Sequence, residues 1–124
     1  MKVTELEGAL LAEWVARANG WPVEIEDVDE PNSPLYCRDD RGIPWSFTEH
    51  GYWPQVKWEQ AGPLIDREKI TVIEGRWGVA FRACVCFCYD FDLNDWIDGD
   101  TYLTAAMRAY VASKFGDEVA GDTK

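Results

Sequence analysis

Histidine, basic charge and long apolar runs are all scarce in this chain, and each scarcity removes a class of function. His50 is the single His among 124 residues, which leaves no multi-histidine metal centre to build. Lys and Arg number 12 against 23 Asp and Glu, a net charge of −11. Such a surface repels a phosphate backbone and forgoes counterion release, so direct nucleic-acid binding is not expected. No apolar stretch approaches the roughly 20 residues of a membrane-spanning helix, and the opening residues lack the form of a targeting signal. Membrane association is therefore not expected. Neither a Gly-rich phosphate loop nor a nucleophile elbow is present. With no signal peptide and no membrane-length apolar run, the four Cys are expected to be free thiols in a reducing cytosol.

What the chain does have is aromatic mass, with seven Trp, five Tyr and five Phe. Rings bury large areas and can build a core; Trp and Tyr also line binding sites. The length fits one domain, here set at residues 1–119, with a polar tail at 120–124 that is expected to be disordered.

The clearest helix signal lies within Gly99 to Val119. Thr101 can cap the first turn, Ala105, Ala106, Ala109 and Ala112 favour helix, and Gly116 suits the stop. Leu103, Met107, Tyr110 and Val111 share one face with Ala106 beside them, and Arg108 points elsewhere. At the other end, Thr4-Glu5-Leu6-Glu7 has the capping-box form and predicts a helix from about Glu5 to Ala18, ended by Asn19-Gly20. Between them, residues 22 to 63 are punctuated by prolines and read as a long Pro/Trp-rich irregular segment with short strands at Val23–Glu26 and Trp45–Thr48. The β-branched run Ile70 to Ile73 predicts a strand. Alternation from Trp77 to Tyr89 predicts another, with Trp77, Val79, Phe81, Ala83, Val85, Phe87 and Tyr89 inward. The fold class that follows is α+β, two helices on one face of a small, mostly antiparallel sheet.

Several constellations invite chemistry. Cys84, Cys86 and Cys88 share a strand face, but same-face neighbours stand nearly 7 Å apart, too far for three thiolates to hold one zinc. Asp90-x-Asp92-x-Asn94 resembles the start of a calcium loop, yet Asp95 and Thr101 stand where that loop needs Gly and Glu. His50 with Cys37 or Ser46 offers a base and a nucleophile without a surrounding motif. No metal or cofactor is expected. The best constellation is cationic and aromatic: Arg67, after the Gly62-Pro63 turn, and Arg108, with Tyr52, Trp53 and Trp58 in the adjoining loop. Guanidinium groups fork onto phosphate or carboxylate and rings stack on flat groups, so together they would suit a nucleotide-sized anion. The alternative is internal, with both Arg pinning loop to helix through Asp66, Glu68 or Asp117.

Trp58-Glu59-Gln60-Ala61-Gly62-Pro63-Leu64-Ile65-Asp66-Arg67-Glu68-Lys69-Ile70 and the block from Ala105 to Val119 resemble the NinX-like family of small proteins of tailed bacteriophages and prophages. The opening helix, with Leu6, Ala9, Leu10, Trp14 and Ala16, is similar to the family's start. Ala61 and Tyr102 depart from the family's Gly and Pro. The resemblance implies phage origin and the host bacterial cytoplasm, and it implies no activity. With it, the expected role is a phage accessory protein acting by binding rather than catalysis, sequestering a small anionic, nucleotide-type host signal of defence. Two alternatives stand beside it: an acidic inhibitor of a host nucleic-acid-binding protein, and a small nucleotide hydrolase. Self-association as a homo-oligomer is left open.

Overall fold

The protein is described from a computed structural model over residues 1–27, 29–30, 33–75, 80–85 and 96–119. Its central element is helix α3 (Tyr102–Phe115). Thr101 is extended, and its hydroxyl accepts from the Thr104 N–H at 3.1 Å, satisfying a first-turn donor. Gly116, at φ +86°, turns the chain away after the last turn. Leu103, Met107, Tyr110 and Val111 are buried, but so are Ala105, Ala106, Arg108 and Ala109. Burial on nearly every side replaces the expected single apolar face, because α3 has neighbours all round it.

One neighbour is an antiparallel sheet of β4 (Ile70–Glu74), β5 (Phe81–Val85) and β6 (Ile97–Gly99), with Val72 opposite Ala83 and Ala83 opposite Ile97. The strand expected from Ile70 is thus present. Of the strand expected over Trp77 to Tyr89, the described part is Phe81–Val85, with Ala83 fully buried. Its remainder lies outside the described residues, as do Cys86, Cys88, Asp90, Asp92, Asn94, Asp95 and the 120–124 tail. Sheet and helix meet backbone to backbone at Gly99, where a Cβ would lie 2.4 Å from the Ala105 nitrogen.

A second neighbour is α1 (Gly8–Ala18). The capping box does not form: Val3–Glu5 make a 3-10 turn, and α1 starts only at Gly8, after Glu7, whose side chain caps nothing. Gly8, at φ +57°, breaks the path between the two. The Leu6 carbonyl between them serves Arg108 instead. The segment before α1 is also tied to the far end of the chain, Val3 N–H donating to the Asp117 carbonyl at 2.8 Å and Val119 N–H to that of Met1 at 2.9 Å.

The stretch expected to be irregular holds its two expected short strands as β1 (Val23–Ile25) and β3 (Pro44–Ser46), and also β2 (Leu35–Arg38), which joins them in a second antiparallel sheet, and helix α2 (Trp58–Glu68). Pro44 opens an edge strand, where a missing N–H costs no ladder bond. Pro63 sits inside α2, on an exposed position, so Gly62-Pro63 is helical and not a turn. The α+β class stands; among the described residues it comprises three α-helices and two three-stranded sheets in place of two helices and one sheet.

Candidate functional site

A cleft of about 640 Å³ opens beside α2. One wall is the β2–β3 turn with Asp39, Asp40, Arg41 and the adjoining Trp45; the other is α2 as far as Arg67, with Lys57 just before it; Asn19, Trp21 and Tyr52 join the two.

Asp39 organises the first wall. Its Oδ1 accepts from the N–H groups of Arg41 at 2.9 Å and Ile43 at 3.0 Å, and its Oδ2 from Trp45 Nε1 and Arg41 Nη2, both at 3.1 Å. The indole bond and these other donors hold its carboxyl down at about 2. Trp21 spends its own indole N–H on Asp40 Oδ1. Both tryptophans of the cleft are therefore anchored at the nitrogen by a carboxylate.

Gln60 organises the second wall. Its Oε1 accepts from the Trp53 N–H at 2.6 Å, and its Nε2 donates to the Gly51 carbonyl at 2.9 Å, which Lys57 Nζ also reaches at 3.3 Å. The loop carrying Tyr52 is thereby held on α2. Tyr52 is 4% exposed, and its hydroxyl accepts from Asn19 Nδ2 at 2.9 Å. Asn19 Oδ1 accepts from the Tyr110 hydroxyl at 2.7 Å, and that hydroxyl accepts from Arg67 Nη2 at 2.9 Å. A polar chain thus crosses from α2 through α3 to the end of α1 and back to the cleft. Burial raises the pKa of both tyrosines, which keeps them protonated. Arg67 Nε also donates to Glu68 at 3.0 Å. Its Nη1 and the Tyr52 hydroxyl proton have no partner among the described residues, and both groups belong to the cleft lining.

Of the residues expected to form a site, the cleft brings together Arg67 and Tyr52. Trp53 packs half-buried against the core. Trp58, 56% exposed, lies against Tyr102 with ring centroids 5.3 Å apart. Arg108 does not leave α3 on an open flank. It is 8% exposed, with Nε donating to the Leu6 carbonyl at 2.7 Å and Nη1 to the Asp98 carbonyl at 3.0 Å. Burial lowers its pKa. Its partners are backbone carbonyls instead of the carboxylates anticipated for an internal role, because the chain wraps α3 on that side too.

Sequence reasoning missed Trp21, Trp45, Lys57, Gln60 and the Asp39–Arg41 turn. The signal that could have found the turn is Asp-Asp-Arg-Gly between two short β-prone runs, since Asp favours bonds to the backbone two residues on. Of the other candidates, Cys37 is fully buried with its thiol pushed up to about 11 by burial, which makes it a poor nucleophile. Ser46 Oγ pairs with Thr48 Oγ1 at 3.0 Å, and His50 is exposed in the following loop. Among the described residues no group of His, Cys, Asp and Glu could hold a metal ion, and no helix is long and apolar enough to cross a membrane.

A family model described as bacteriophage P22, NinX matches residues 2–114. The chain belongs to this NinX family. The match is wider than the blocks that first carried the resemblance and takes in both walls of the cleft, so the β2–β3 turn and α2 are parts of the NinX domain and not additions to it. It also takes in Arg108 and nearly all of α3. No curated protein matches the chain significantly.

Proposed function

We propose that this NinX-family chain is a phage accessory protein that acts by binding, holding a small planar anion of nucleotide type in the cleft. The observation that carries the reading is that Trp21, Trp45 and Tyr52 share one cavity of about 640 Å³ with Lys57 and Arg67, in a lining that also holds Asp40, Glu59 and the paired Arg41 and Asp39. Rings stack on flat groups, guanidinium and ammonium groups hold phosphate, and the volume falls in the range of roughly 300–1,000 Å³ usual for small-ligand pockets. Binding without turnover fits the candidate nucleophiles, since the Cys37 thiol is buried and held protonated. Membership in a bacteriophage family supports the host bacterial cytoplasm as the place of action and a nucleotide signal of host defence as the captured ligand, so that binding amounts to counter-defence sequestration.

The test is calorimetric titration with mono-, di- and cyclic nucleotides, together with the mass of small molecules co-purifying from infected, defence-activated cells. Saturable heat, a ligand recovered unchanged, and a loss of roughly tenfold or more in affinity for Arg67→Ala are expected. Recovery of a chemically altered nucleotide would instead favour a hydrolase. Heat from none of them overturns the reading. The net charge of −11 then favours an acidic surface that occupies the basic groove of a host nucleic-acid-binding protein.

A further inference from the structure

We propose that the cleft selects guanine, by presenting the Asp40 carboxylate to a base edge that carries two adjacent N–H donors. The inference rests on the reading of the cleft as a nucleotide site and specifies its ligand. The two walls differ in chemistry. Asp39 and Asp40 come from the β2–β3 turn, whereas Arg67 comes from α2 and Lys57 from the residue just before it. Glu59 on α2 and Arg41 on the turn depart from this division: the Arg41 guanidinium is engaged by Asp39 at 3.1 Å, and Glu59, exposed as Asp40 and Arg67 are, leaves that side with one acid against Lys57 and Arg67. A nucleotide lying across the cleft would place its phosphate toward α2 and its base toward the turn.

The two carboxylates on the turn are not equivalent. Asp39 already accepts four hydrogen bonds and serves the turn itself. Asp40 accepts one, from Trp21 Nε1 at Oδ1, and its Oδ2 has no partner among the described residues. The Trp21 ring is in turn set against Tyr52, with centroids 5.0 Å apart, so a packed ring aims the carboxylate. An ionised carboxylate only accepts, and its complement is a pair of parallel donors. Guanine offers that pair in N1–H and the 2-amino group. Adenine and cytosine set a donor beside an acceptor, and uracil sets one donor between two acceptors, so each would turn a lone pair toward Asp40.

Titration with GMP, IMP and AMP tests this, since IMP keeps N1–H and lacks the 2-amino group. GMP should bind most tightly, IMP roughly tenfold or more weakly, and AMP more weakly still, as a bidentate carboxylate pair discriminates by about 5- to 150-fold. Asp40→Asn keeps an acceptor for Trp21 and turns the other oxygen into a donor, so it should bring GMP down to the level of IMP or below and tighten AMP, whose adjacent donor and acceptor match an amide. The comparison of GMP with IMP needs no variant, so it stands if Asp40→Asn fails to fold. Equal affinity for GMP and AMP overturns the guanine assignment and leaves the nucleotide site. No binding of any of the three, while another nucleotide binds, also overturns it; no binding of any nucleotide overturns both readings.

Discussion

Arg108 Nε donates to the Leu6 carbonyl at 2.7 Å, joining the middle of α3 to the bend before α1 across 102 positions of sequence. The same guanidinium reaches the Asp98 carbonyl in β6 at 3.0 Å. One side chain therefore ties three elements together, and its charge is spent on backbone oxygens. Arg108→Ala should leave both carbonyls underbonded at a cost of about 2–4 kcal/mol, seen as a melting temperature lower by roughly 10 °C or more. Ligand affinity per folded molecule should not change, because Arg108 is not part of the cleft lining. An unchanged melting temperature with lost binding would return Arg108 to the site.

Gly99 makes a second backbone prediction. A Cβ there would meet the Ala105 nitrogen at 2.4 Å and its Cα at 2.6 Å, atoms that cannot rotate away. Gly99→Ala should force β6 from α3 and cost about 1–3 kcal/mol, read as a lower urea midpoint at unchanged slope. An equal midpoint would mean that sheet and helix are not in contact here.

Asp39 predicts an acid dependence. Its folded pKa, about 2, lies below the ordinary 3.8, so the folded protein binds this proton less readily than the unfolded chain does. The stabilisation is complete above the unfolded value and is lost as pH falls through about 4 toward about 2. Glu24 and Glu68 are lowered as well and act in the same direction, whereas Glu13, raised by burial, acts the other way. All three are common to Asp39→Asn and the parent. The variant should be less stable at pH 7 and should lose less on acidification to pH 2. Parallel stability curves would show that Asp39 is no better solvated folded than unfolded.

What the sequence made legible and what it hid divide along a physical line. The α3 boundaries followed from Thr101 and Gly116, whose effects act within one turn. The Ile70 strand followed from a β-branched run. Thr4 and Glu7 failed because their local signal competes with a long-range one: the Leu6 carbonyl bonds Arg108, and Val3 pairs with Asp117. Helix α2 was hidden by Pro63, which local propensity counts as a break but which an exposed position in a packed helix tolerates. The cleft was only partly visible. Arg67 and Tyr52 lie near each other in sequence, whereas Trp21, Asp40 and Asn19 reach them only through the pairing of β1 with β2 and the end of α1. Arg108 misled because one helix period assigns a flank, while the number of elements covering that flank is a property of the whole chain.

The polar chain behind the cleft should behave as one unit. Arg67 donates to Tyr110, Tyr110 to Asn19 and Asn19 to Tyr52, at 2.9, 2.7 and 2.9 Å. Tyr110→Phe removes the hydroxyl that both accepts and donates, leaving Asn19 Oδ1 without its donor, and should cost about 1–3 kcal/mol. Tyr52→Phe removes the acceptor of Asn19 Nδ2 and should cost less, because only one bond is lost. Once Tyr110 is Phe, Asn19 is no longer held from one side and can turn to find another partner, so the second substitution should matter less than it does alone. The double variant should therefore be more stable than the sum of the single losses predicts, by about 0.5 kcal/mol or more. Urea denaturation of the four proteins measures that coupling. Strict additivity would mean that Asn19 does not link the tyrosines, and that Arg67 and Tyr52 are positioned on the cleft independently.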